Sequence, residues 1–184
     1  LRQCGVNRPT HVFVQAGVGS LAGAVVGYFT NLFPNDPPKF VVMEARAADC
    51  LYQGALAADG KPRIVTGDLQ TIMAGLACGE PNTISWDILR NHVSAFISCP
   101  DWVSAKGMRM LGVPVKGDPT VISGESGAVG MGCLDAIMCD DTYKELRDAL
   151  ELNRFSQVLM FSTEGNTDPL KFRRVIWDGE YPTT

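Results

Sequence analysis

The sequence predicts an α/β fold with a mostly parallel sheet, and three observations carry that reading. Two apolar β-type runs, Val12 to Gln15 and "KFVVMEA" from Lys39 to Ala45, are separated by a glycine turn and an alanine-rich helical stretch. Strand, turn, helix, strand is a βαβ unit, and a crossover helix makes the joined strands parallel. Two further short apolar runs, Val93 to Ser98 and Val158 to Phe161, stand among helical segments. At 184 residues the chain is long enough for one domain with a full core and a little short for two.

Each element follows from its residues. "LRQCGVNRPTH" reads as the tail of a helix ending near Gly5 to Pro9, which suggests a piece of a longer protein. Pro9 is a plausible entry to the first strand. Leu21 to Phe29 is helical in composition, with Gly23 and Gly27 permitting close packing on a sheet. Asn35 to Pro38 is a loop before the second strand. Ala47 to Ala58 predicts one helix closed by Asp59-Gly60. After Arg63 to Val65 comes "GDLQTIMAGLACGEP", rich in small residues and without a clean period. Ile84 to Asn91 predicts a short helix, Val93 to Ser98 a strand, and Pro100 opens a helix to about Leu111. Ser126 to Met138 is helical in pattern despite its glycines. Thr142 to Leu150 carries an i, i+3, i+4 apolar spacing, and a short basic helix follows the last strand.

Composition narrows the partners. Apolar residues make up 46% and charged ones 20%, ordinary for a globular domain. A net charge of −4 gives no reason to expect nucleic acid or an anionic membrane. The apolar stretch Val12 to Phe29 is broken by Gln15, Ser20 and repeated glycines, which argues against a membrane span. No basic start with a cleavage site suggests secretion, so a cytoplasmic location is expected. Six cysteines without a Cys-x-x-Cys pair, and two histidines, argue against a zinc site and for free thiols in a reducing compartment. No metal is expected. His11 and His92 read as structural, and the three tryptophans as core or edge packing.

"QAGVGSLAG", Gln15 to Gly23, is the stretch that points to chemistry. A strand ending in a glycine turn before a helix leaves backbone N–H groups unpaired, and the helix dipole favours an anion there. Ser20 adds a hydroxyl. The owner of such an anion stays open on these residues. Gly17-x-Gly19-x-x-Ala22 matches the permissive dinucleotide fingerprint, with Glu44 ending the next strand where a ribose-binding acid would sit. That reading makes a nicotinamide-dependent oxidoreductase. Small residues serving helix–sheet contact, in a non-catalytic binding module, are the other alternative. The Gly-Lys-Ser/Thr of a P-loop is absent.

Four segments, "THVFVQAGVGSLAGAVVGYF", "GDLQTIMAGLACGEPNTISWDILRNHVSAFISCPDWVSAKGMRML", "ISGESGAVG" and "LMFSTEGNTDP", together resemble the diaminopropionate ammonia-lyases. Those belong to the pyridoxal-phosphate enzymes of the tryptophan-synthase-β fold type. The resemblance implies that residues 1–184 form a single α/β domain, most of the larger, cofactor-binding part of a fold-type II enzyme. It implies pyridoxal 5'-phosphate as cofactor, a small amino acid as substrate and a homodimer.

Residue by residue, the resemblance implies that Gly17, Val18, Gly19 and Ser20 hold the cofactor phosphate. Ser162-Thr-Glu-Gly165 matches the segment that sets a hydroxyl beside the pyridine nitrogen, which makes Ser162 the first candidate and Thr163 the second. Thr71 to Leu76 matches a Thr-Ile-Ala-Asp-Gly segment of related dehydratases, so Gly75 is expected near the ring. Ala74 stands where those relatives have the aspartate. Glu125 either orients the cofactor or caps the helix that follows it. Asp68 is a weak candidate for substrate contact, since an acid in a glycine turn is commonly just solvated.

The family's chemistry also runs through a lysine bonded to the cofactor aldehyde, which later acts as a base. In the family that lysine lies upstream of the phosphate turn. Lys39, Lys61, Lys106, Lys116, Lys144 and Lys171 all follow the turn, and none matches the lysine motif. The resemblance therefore implies a chain with the phosphate and ring side of the pocket only, inactive in elimination by itself.

Overall fold

Every residue of the first strand is buried, and so are six of the seven in the second, which is how strands covered on both faces read. The computed structural model describes residues 5–183. Its elements in chain order are β1 His11–Gln15, α1 Ser20–Leu32, β2 Lys39–Ala45, α2 Cys50–Ala57, α3 Thr83–His92, β3 Val93–Cys99, α4 Asp101–Gly112, α5 Glu125–Cys139, α6 Lys144–Leu150, β4 Val158–Met160 and α7 Pro169–Ile176. Short 3₁₀ turns lie at Arg46–Ala48, Ala74–Leu76 and Asp141–Tyr143. The four strands form one sheet in the order β3-β2-β1-β4, every pair parallel. Of the helix tail expected to end near Gly5 to Pro9, positions 1–4 lie outside the described residues, and 5–9 form turn and bend rather than helix.

Alternation along the strands builds two cores. Phe13, Val41 and Met43 point to one face and pack with Val103 and Met108 of α4 and Val129 and Ile137 of α5. Val12, Val14, Phe40 and Val42 point to the other and pack with Val26 and Phe29 of α1, Leu51 of α2 and Leu89 of α3. Each such side chain contributes about 1.5–3 kcal/mol when withdrawn from water. A one-residue slip of β1 on β2 would exchange the two sets, so the register His11 to Lys39 through Gln15 to Met43 is strongly specified.

The layers also bring α4 and α5 into backbone contact. A Cβ at Gly107 would run into the carbonyl oxygen of Ala128, and one at Gly132 into that of Val103. Lys106 and Asp135 form an ion pair across the same crossing.

One expectation needs correction. The single helix read over Ala47 to Ala58 is two pieces, Arg46–Ala48 and Cys50–Ala57, with Asp49 between them at φ −93 and ψ 49. Glu44 is the physical cause. Its carboxylate, fully buried, accepts from Leu51 N at 2.9 Å and Tyr52 N at 2.6 Å, which ends one turn and starts the next. The tryptophans divide as well: Trp86 is buried with Nε1 donating to Gly60 O, whereas Trp177 is 82% exposed. His11 is buried and structural, with Nε2 at 2.8 Å from Leu150 O.

Candidate functional site

A crevice at the carboxyl ends of β1 and β4 is where a parallel sheet leaves room for a ligand. Here it holds a cavity of about 370 Å³ lined by Gln15 to Leu21, Gly75, Leu76, Cys78, Ser126, Thr163 and Glu164. Four separate chain segments line it, and they make three walls.

The first wall is the glycine turn. Ala16 N donates to Met43 O at 2.8 Å, carrying the sheet's hydrogen bonding one residue past β1. Gly19 then takes φ 93, a left-handed conformation open to glycine, and caps α1. Its carbonyl accepts from Gly23 N at 2.7 Å. Asn82 N donates to Val18 O at 2.8 Å and braces the turn from behind. The N–H groups of Ser20, Leu21 and Ala22, in the first turn of α1, have no preceding helical carbonyl to bond. Gly17 lies so near the second wall that a Cβ there would sit 3.4 Å from Leu76 Cα.

The second wall is the strip Thr71 to Leu76, tied at both ends. Thr71 Oγ1 donates to Asp101 Oδ1 at 2.5 Å, and Ile72 N reaches Asp101 Oδ2 at 3.3 Å. Gly75 N donates to Ser126 Oγ at 3.2 Å. Apart from the 3₁₀ turn at Ala74–Leu76 the strip has no regular structure of its own, and its bonds to α4 and α5 help fix its path.

The third wall follows β4. Gln15 Nε2 donates to Phe161 O at 2.8 Å and to Thr163 Oγ1 at 2.7 Å, so the first strand positions the hydroxyl of the last segment. Glu164 Oε2 accepts from Ser126 N at 2.6 Å in the first turn of α5, and Glu164 O accepts from Gly124 N at 2.8 Å.

The structure thus brings Gly17, Val18, Gly19, Ser20, Gly75 and Thr163 around one cavity. Ser162 is turned elsewhere: it is exposed and donates to Ser123 Oγ at 2.9 Å. Glu125 is buried behind the lining, with Oε1 at 3.7 Å from Lys171 Nζ and its carbonyl accepting from Ser104 Oγ. Asp68 is exposed and accepts from Gln70 N at 3.1 Å, an Asx turn outside the lining. Among the lining residues not singled out from the sequence are Gln15, Cys78, Ser126 and Glu164. Ser126 and Glu164 stand next to Glu125 and Thr163, which the sequence singled out.

Glu44 is not a ribose ligand. It does not line the cavity, and both oxygens are committed to the start of α2. Burial pushes its carboxyl up to about 8, with the two backbone N–H bonds pulling the other way. Cys50 Sγ donates to Glu44 Oε1 at 3.7 Å, and its thiol is pushed up to about 12 by burial and by that carboxylate. Among the described residues no cluster of three or more His, Cys, Asp or Glu could hold a metal ion. No described helix is long and apolar enough to cross a membrane.

Similarity to known proteins agrees with this geometry. Diaminopropionate ammonia-lyase of Salmonella typhimurium is 50% identical over 172 residues, 93% of this chain and 43% of its own length. The enzyme of Escherichia coli K12 is 48% identical over 181 residues, 98% of this chain and 45% of its own. The chain therefore spans under half the length of these relatives. The crystal structure of the E. coli lyase in complex with an aminoacrylate-PLP azomethine reaction intermediate superposes with a TM-score of 0.86 at 46% identity, covering 98% of this chain and 45% of that one. Maize serine racemase, at 21% identity, shares the fold with a TM-score of 0.71 over 97% of this chain and 51% of its own. The nicotinamide alternative is not favoured by any of these likenesses. The family model for pyridoxal-phosphate dependent enzymes matches residues 1–145, and the chain belongs to that family.

Proposed function

We propose that this chain is the phosphate- and ring-binding part of a pyridoxal-phosphate-dependent lyase that eliminates ammonia from 2,3-diaminopropionate to give pyruvate. The observation that carries the reading is the turn Gly17 to Ser20 facing Thr163 across one cavity, in a chain 48–50% identical to lyases of that name.

The residues present fit the cofactor. A phosphate dianion matches the free N–H groups and positive end of α1, with no cationic side chain among the lining residues. A volume of about 370 Å³ lies within the range of small-ligand sites. A Cβ on Gly75 would come within 3.0 Å of Ser126 Oγ, so the strip is bare backbone where a planar ring needs a flat wall. When bound, pyridoxal phosphate supplies an electron sink that acidifies the substrate's α-hydrogen.

This chain's own groups bind and orient. The turn holds the anionic end, and Gly75 limits one face. Gln15 aims the Thr163 hydroxyl into the cavity; in that place a hydroxyl hydrogen-bonds a ring nitrogen without transferring a full proton. Thr163 is thus a better candidate than Ser162, whose hydroxyl is engaged by Ser123. Glu125 acts through α5, which positions Ser126. Asp68, exposed and in its Asx turn, is left with at most a weak part in substrate contact.

Residues 1–184 act as one α/β domain, most of the larger part of the whole enzyme, and the lysine that anchors the cofactor belongs to the smaller part. The whole protein is a cytoplasmic homodimer in this reading. Leu21, Tyr28 and Leu32, exposed along α1, support a partner, and the free thiols among the described residues suit a reducing compartment. The test is pyruvate release from 2,3-diaminopropionate by the full protein, with and without added pyridoxal phosphate. Cofactor-dependent pyruvate is expected; cofactor binding without it would move the reading to another pyridoxal reaction.

A further inference from the structure

A second cavity, of about 520 Å³, shares no lining residue with the first and lies between the end of β3 and the middle of α5. Cys99 and Cys133 both line it, and Arg46, Tyr52 and Tyr143 share its wall. Cys99 is the last residue of β3, 1% exposed, and Cys133 sits in α5, 3% exposed. Both belong to one core cluster with Val103 and Ile137, and both side chains face the same cavity. Neither takes part in the proposed binding site. The remaining described cysteines are placed elsewhere: Cys50 Sγ donates to Cys78 O at 3.7 Å, and Cys139 is exposed.

We propose that Cys99 and Cys133 are an oxidisable dithiol, joined to a disulfide by a peroxide small enough to enter the cavity. Two buried cysteines packed in one cluster and lining one cavity, from the end of a strand and from the helix beside it, are placed for the short bridge that a disulfide makes. One thiol, as its thiolate, attacks a peroxide oxygen; the O–O bond breaks and hydroxide leaves, taking up that thiol's proton as water. The second thiolate attacks the sulfur of the resulting S–OH group and displaces hydroxide, which takes up the second proton. Two thiols and one hydrogen peroxide become one disulfide and two waters, the sulfurs oxidised and the peroxide reduced.

The Cys133 thiol beside it and burial hold the Cys99 thiol well above its ordinary range, with the charge of Arg46 pulling the other way. Oxidation is therefore slower than at an exposed thiol, and it is directed by proximity. The bond would fasten the segment leading into α4 to α5. Those two helices carry Asp101 and Ser126, the groups that hold the strip Thr71 to Leu76.

The experiment uses the full protein with Cys139→Ser, so that the tryptic peptide 117–144 keeps Cys133 as its one cysteine and peptide 91–106 keeps Cys99. After treatment with hydrogen peroxide and quenching with catalase, free thiols are blocked with N-ethylmaleimide in urea and the digest is read by mass spectrometry. The two peptides are expected joined, released by dithiothreitol, and no longer joined when the protein is unfolded before the oxidant is added. Recovery of both as alkylated or singly oxidised peptides, pairing of Cys99 with another cysteine, or equal joining in urea overturns the proposal. A second measurement needs no oxidation. Phenylarsine oxide, which bridges paired thiols, is expected to shield both cysteines of the native protein from alkylation, and Cys133→Ser to abolish the shielding of Cys99. Alkylation of both in its presence counts against a paired site.

Discussion

Glu44 shows how one side chain can carry a motif's appearance and another role. Ending a strand after a glycine turn, it resembles a ribose acid, yet its oxygens cap α2 from inside the core. The raised carboxyl has a consequence for stability. Folded, the group keeps its proton to about 8, against an ordinary value of 4.5, so the folded chain holds one more proton between those limits. Stability is therefore greatest on this account below about 4.5, and falls as pH rises toward 8 by up to about 1.4 kcal/mol per unit. Glu44→Gln is expected to remove that slope, which urea unfolding at a series of pH values would measure. At the binding site, Ser126→Ala leaves Gly75 N without its acceptor. A lost bond of about 0.5–1.5 kcal/mol predicts pyridoxal phosphate held about twofold to tenfold more weakly in an absorbance titration. Asp68→Asn, outside the lining, is expected to change the affinity little.

At the scale of elements, the firm readings were those with an apolar period. β2 was expected from Lys39 to Ala45 and occupies those residues, because its near-continuous apolar run fits a strand covered on both faces. The split of Ala47 to Ala58 was not legible, since it depends on a carboxylate reaching forward from the preceding strand. Nor was the path of Thr71 to Leu76, which Asp101 and Ser126 determine from distant helices. The α4–α5 crossing makes its own prediction. Gly132→Ala places a methyl against the Val103 carbonyl, which must force the helices apart and is expected to destabilise by about 3 kcal/mol or more. Asn82→Ala, which removes the side chain accepting from Ser85 N at the start of α3, should destabilise by about 1 kcal/mol. Thermal unfolding of the two variants would rank them.

For the molecule as a whole, a parallel sheet between two helix layers supplies the crevice, while the proposed reaction also needs a lysine and a substrate wall from the rest of the enzyme. Residues 1–184 expressed alone are therefore expected to release no pyruvate from 2,3-diaminopropionate, whereas the full protein does; a coupled pyruvate assay compares them directly. Light scattering of the full protein is expected to give the mass of a dimer, and charged replacements at Tyr28 and Leu32 to weaken it if α1 lies in the interface.

What the sequence by itself determined is local in origin. Apolar periodicity marked the strands and helices, and the glycine turn before α1 pointed to the proposed anion site, because both signals arise from backbone geometry within a few residues. Resemblance across four segments then named the family. Tertiary structure alone decided which hydroxyl faces the cavity, Thr163 rather than Ser162, because Gln15 on a strand 148 positions away in sequence orients it. It decided that Glu44 serves a helix and that Cys99 and Cys133 line one cavity. Each of those outcomes depends on side chains brought together by packing across the sheet, where separation along the chain carries no information about distance.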